Sequence, residues 1–118
     1  MAVSTFILRV ELYNPDENDY TMLHENMALI SFFRAYNSGA EWLDLPTATY
    51  TCSTSNTLTV LQDAAQVESQ VAHTLHTFIA SKPINHAGVA KDYIYFLSKF
   101  EYGAYKLNEN TDVSKRPY

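Results

Sequence analysis

The sequence predicts an α+β fold in which one antiparallel sheet is covered on one side by two helices. Three observations predict it. Thr5–Asn14 alternates apolar and polar side chains as a half-covered strand does. Two later stretches switch to helical spacing, and threonine-rich, aromatic segments lie between them. A chain of 118 residues has room for one core and not for two.

In the first element Phe6, Leu8, Val10 and Leu12 share one face, and Ile7, Arg9, Glu11 and Tyr13 share the other. Asn14-Pro15-Asp16-Glu17-Asn18 follows as a turn, with Asp16 or Asn18 available to cap a helix. From Asp19 to about Tyr36 the apolar residues Tyr20, Leu23, Met27, Ile30 and Phe33 recur at helical spacing. Asn37-Ser38-Gly39 stops that helix. Glu41–Leu45 and Thr47–Thr54 read as two short strands separated near Pro46, which cannot donate to a ladder.

After a turn at Ser55-Asn56, a second helix is predicted from about Thr59 to Thr74, with Val60, Ala64, Val67, Val71 and Ala72 as its stripe. His76–Ser81 fits either the end of that helix or a strand, and Lys82-Pro83-Ile84-Asn85 breaks whatever precedes it. Residues 89–104 fit both periods and are read as a helix ending near Gly103. Taking His76–Ser81 as a strand, the order is β-α-β-β-α-β, a ferredoxin-like arrangement with both helices on one face and a helical C-terminal extension from about residue 82. One domain over 1–107 and a flexible, polar tail over 108–118 complete the layout. The open face of such a sheet, bearing Ile7 and Tyr13, is expected to stack on a second copy as a homodimer.

Charge is unevenly spread. Residues 1–81 hold nine acidic side chains and only two basic ones, Arg9 and Arg34, a net −7. The remainder is net +2, and the whole chain −5. Phosphate backbones are held chiefly by Lys and Arg, so a broad, non-specific nucleic-acid surface is excluded and a nucleic-acid role needs a local site. No apolar run approaches a membrane span, and MAVSTFILRV lacks the pattern of a secretory signal. A single cysteine, Cys52, predicts a reducing, cytoplasmic setting.

No Gly-rich phosphate loop or nucleophile elbow occurs. His73 and His76 lack a third ligand at metal-site spacing, and Glu11, Asp16 and Asp19 read as turn and cap residues before they read as cation ligands. No metal site and no cofactor is predicted. His24, one turn into the first helix, is the candidate general acid/base, weighed against a purely structural hydrogen bond. Aromatic side chains on an open sheet can stack on unpaired bases, although such residues also build cores and interfaces.

Five strings carry a resemblance. F-x-x-R-V-E-L (Phe6–Leu12) precedes D-Y-x-x-L-H-x-x-M (Asp19–Met27), and Phe32-Phe33-Arg34 follows. Then come L-P-T-A-x-Y (Leu45–Tyr50) and N-T-L-T-x-x-x-x-A-A (Asn56–Ala65). Across residues 5–81 this series resembles the GhoS-type family, small bacterial and prophage proteins named for the endoribonuclease antitoxin of type V toxin–antitoxin systems. The resemblance implies a ferredoxin-like fold, akin in shape to small CRISPR-associated nucleases. It also implies sequence-selective cleavage or binding of a toxin's messenger RNA without an added cofactor. Matching residues able to touch RNA are Arg9, His24 and Arg34, with Tyr20 and Tyr50 as stacking candidates. The competing expectations are a non-catalytic acidic module occupying a basic protein surface, and a purely structural dimeric module.

Overall fold

The computed structural model describes residues 5–37, 42–53, 64–100 and 109–116. Its elements are β1 (Thr5–Tyr13), α1 (Asp19–Leu29), β2 (Ala35–Asn37), β3 (Trp42–Asp44), β4 (Thr49–Ser53), α2 (Ala64–Ala80) and β5 (Asp92–Phe100). A mixed α+β architecture results, built on a three-stranded antiparallel sheet ordered β4-β1-β5, with β2 and β3 forming a separate two-stranded ribbon.

β1 is central because its alternation gives it one face to bury and both edges to pair. Phe6, Leu8, Val10 and Leu12 are buried, and the intervening Arg9, Glu11 and Tyr13 are exposed. The buried row meets Leu23 and Met27 of α1 and Val67, Val71 and Leu75 of α2 in one cluster, so both helices cover the same face. Tyr50 and Cys52 of β4, opposite Leu8 and Phe6, join the same cluster.

Helix α1 stops earlier than its apolar spacing predicts. Ser31 adopts φ 66°, its N–H donates to the Ala28 carbonyl at 3.0 Å, and the Phe32 N–H donates to the Met27 carbonyl at 2.9 Å. This pair of bonds is a Schellman stop. It swings Phe32 into the core beside Met27 and releases Phe33–Asn37 as extended chain. Helix α2 runs on through His76 to Ala80, so the strand reading of His76–Ser81 is corrected: Leu75 continues the Val67–Val71 stripe and is fully buried. The expected turn at Ser55-Asn56, the Gly39 stop and the start of this helix lie outside the described residues.

The closing strand is β5, and this replaces the helix expected over 89–104. Nine consecutive residues pair with β1, from Tyr13↔Asp92 to Thr5↔Phe100. Tyr93, Tyr95 and Leu97 turn towards the core while Ile94 and Phe96 turn away. Long-range ladder bonds to a strand with a vacant edge outweigh an ambiguous local period. Residues 82–91 deliver the strand to that edge: Asn85 Nδ2 donates to the Asn14 carbonyl, and Asn14 Nδ2 donates to the Ala90 carbonyl, both at 3.1 Å.

Residues 109–116, read in sequence as flexible tail, pack on the β2–β3 ribbon. The Asn110 N–H donates to the Trp42 carbonyl at 2.9 Å, and Asn110 Nδ2 donates to Asp44 Oδ1 at 2.6 Å. Arg116 donates to the Asn110 side chain and carbonyl, and its guanidinium lies 5.9 Å from the Trp42 ring centre. Among the described residues no helix is long and apolar enough to cross a membrane.

Candidate functional site

A concave site opens where α1, the chain after its stop and the C-terminal segment meet. Thr21, His24, Glu25 and Ala28 supply one helical face, since residues three and four apart lie side by side. The Ser31 turn redirects the chain so that Phe32, Phe33 and Arg34 form a second wall. Ser114 and Lys115 form the third, held there by the Arg34 N–H, which donates to the Lys115 carbonyl at 3.1 Å. The cavity measures about 270 Å³.

His24 anchors this wall through Nδ1, which lies 2.6 Å from the Tyr50 hydroxyl. Tyr50 is fully buried, and burial raises the pKa of its phenol well above the ordinary value. The hydroxyl therefore keeps its proton and donates a hydrogen bond through it to Nδ1, the acceptor beside it. That assignment leaves the proton of the neutral imidazole on Nε2. Burial, reinforced by the charges of Arg34 and Lys115, pulls the imidazole pKa down to about 4. At neutral pH His24 is thus an uncharged donor between two cations. It lacks the second, imidazolium proton that a general acid releases, and as a base it is far weaker than an imidazole tuned near 7.

Lys115 Nζ lies 3.5 Å from Asp44 Oδ1. Asp112 accepts from the Ser114 hydroxyl at 2.6 Å and from its N–H at 3.0 Å, and these bonds lower its carboxyl pKa. The carboxylates fix the cationic segment from outside the cavity wall. Neither Asp44 nor Asp112 lines the cavity itself.

The sequence-predicted residues divide into three groups. His24 and Arg34 share the cavity. Tyr50 supports His24 from the core and, fully buried, offers no face to a base. Tyr20 packs against the core, and its hydroxyl accepts from the Leu12 N–H at 3.0 Å. Arg9 stands on the opposite, exposed face of the sheet, remote from the cavity. Sequence reasoning missed Ser114 and Lys115 by assigning them to a tail. The one available signal was the return of basic residues after Ser81.

A second ionic cluster sits at the β1–α1 junction. Lys91, whose side chain is 3% exposed, places Nζ 2.8 Å from Asp19 Oδ2 and 3.2 Å from Asp16 Oδ2. Asp16 also accepts from the His86 N–H at 2.8 Å, the leading cause of its lowered pKa. Burial opposes the charge on Lys91, yet its bonds to Asp19 and Asp16 raise its pKa overall. The turn carboxylates thus gather an internal ammonium, while Glu11 stays on the exposed sheet face. Among the described residues no group of three or more His, Cys, Asp or Glu side chains is arranged to hold a metal ion. His73 and His76 are exposed on α2, and burial pushes the Cys52 thiol up to about 11, which suppresses the reactive thiolate.

No family model, curated protein or solved structure matches the chain.

Proposed function

We propose that the protein is an RNA-binding module of antitoxin type that holds a phosphate of single-stranded RNA in the cavity between α1 and the C-terminal segment. The carrying observation is that Arg34, Lys115 and a neutral His24 line one cavity in a chain of net charge −5. A guanidinium, an ammonium and an uncharged N–H are donors suited to a phosphate oxygen. The surrounding acidity repels nucleic acid elsewhere, so contact is confined to this site. Phe33, half-exposed on the cavity wall, supplies an apolar surface for a neighbouring base.

The antitoxin role within this reading rests on the resemblance of residues 5–81 to the GhoS-type family. A ferredoxin-like reading of the fold is supported by the side-by-side order β5, β1, β4 and by the Phe33↔Thr51 bridge on the far edge of β4, where a fourth strand belongs. Cleavage of the messenger is a further step. It needs the imidazole pKa to rise, as a bound phosphate would cause by neutralising Arg34 and Lys115.

Fluorescence anisotropy with a 5′-labelled pool of short single-stranded RNAs tests the binding. Arg34→Ala and Lys115→Ala should each weaken it about 10- to 100-fold, the loss of one charge-assisted hydrogen bond. Variants that bind as wild type does, or a wild type that does not bind, would overturn the proposal. Incubating the same pool with and without EDTA tests the enzyme reading separately. Product no greater than that of a His24→Ala control restricts the site to binding.

A further inference from the structure

The sheet face turned away from the helices carries an exposed strip along β1 and β5. Arg9, Glu11 and Tyr13 of β1 are exposed, and the β5 register sets Phe96 beside Arg9 and Ile94 beside Glu11. Phe96 is 68% exposed, Ile94 51% and Tyr13 42%. On β4, Thr49 and Thr51 occupy the same face but are buried, so the open ground is confined to the β1–β5 strip. Large apolar side chains clustered on one sheet face, flanked by an opposite pair of charges, have the character of an interface.

We propose that this strip joins two copies of the chain in a two-fold dimer, with their sheets stacked face to face and their β1 strands antiparallel. The charges decide both the occupant and the orientation. Aligned stacking of identical sheets, about 10 Å apart, allows a two-fold axis between them to run either along the strands or across them. An axis along β1 sets each of its residues over its own copy, so Arg9 meets Arg9 and Glu11 meets Glu11, a repulsive arrangement.

An axis crossing the strands at Val10 exchanges positions equally distant from it. Arg9 then meets Glu11 of the second copy, and Glu11 meets its Arg9. Tyr95 is the β5 partner of Val10, so the same axis sets Phe96 against Ile94 of the second copy. One step further out, Ile7 meets Tyr13. The apolar residues Ile7, Tyr13, Ile94 and Phe96 thus find apolar partners, Arg9 and Glu11 find their opposites, and Asp92, at the rim beside Tyr13, meets the polar Ser98. A single surface complementary to itself under one rotation is what an isologous dimer requires.

The full chain in sedimentation equilibrium provides the test. Wild type should give twice the 13.4 kDa chain mass. Arg9→Glu places four carboxylates across the axis and Glu11→Arg places four cations there, so each variant alone should run as a monomer. Mixed in equal amounts they should restore a dimer containing one of each, seen by native mass spectrometry after isotopic labelling of one. Rescue by mixing cannot come from misfolded chains, and Phe96→Ser, at an exposed position, should also run as a monomer with an unchanged circular dichroism spectrum. A monomeric wild type, single variants that remain dimeric, or a mixture that stays monomeric would each overturn the proposal. So would a strip that protects against chemical labelling only when RNA is added.

Discussion

His24 shows how far a residue's chemistry is set by its surroundings. The imidazole titrates at 6.5 in the unfolded chain and at about 4 in the fold. Between those values the unfolded state binds more protons, so stability falls as pH drops from about 6.5 towards 4. Asp16 and Asp112, whose carboxyl pKa values are lowered below 3.8, lose their contributions further into acid as pH falls through their folded values. His24→Gln should therefore flatten the upper part of the acid decline and leave the lower part in place, read as urea midpoints across pH 3 to 8. Arg34→Ala should raise the His24 pKa in an NMR titration, because the guanidinium is among the charges depressing it. The sequence pointed to His24 and Arg34 but not to this neutral state, which depends first on burial in the fold and then on the charges of Arg34 and of the distant Lys115.

At the scale of elements, the end of α1 determines whether the cavity exists. A helix continued to Tyr36 would carry Phe33 and Arg34 round its axis instead of across the mouth of the site. Ser31, a non-glycine residue at φ 66°, makes the turn at a conformational cost of about 1 kcal/mol. Ser31→Gly should relieve most of that cost and stabilise the fold by about 0.5–1 kcal/mol, measured by urea denaturation with the m-value unchanged. β1 was readable because its alternation matches one period only, and β3 and β4 because Pro46 and the threonines mark them. β5 was not, because Tyr93, Phe96, Leu97 and Phe100 also match a helical stripe. Pairing with β1 resolves that ambiguity, and no local window contains β1.

Across the whole molecule, the two ends of the chain build the site together. None of the core cluster comes from residues 109–116, yet those residues supply one wall of the cavity. Ending the chain after residue 108 should preserve the helical circular dichroism spectrum while weakening RNA binding about tenfold or more, at least as Lys115→Ala does. The emission of Trp42, the single tryptophan, should shift as it loses the Arg116 guanidinium above its ring. Loss of the fold on truncation would instead make the segment part of the cooperative core. By itself, the sequence determined the mixed α+β class, the buried row of β1, both helical regions and the local confinement of positive charge, since each follows from short-range period or composition. Tertiary structure alone decided the β5 pairing, the joining of Lys115 to Arg34 and His24, and the burial of Lys91 between Asp16 and Asp19. Those depend on contacts between distant segments, whose free energy is gained only when the whole chain closes on itself.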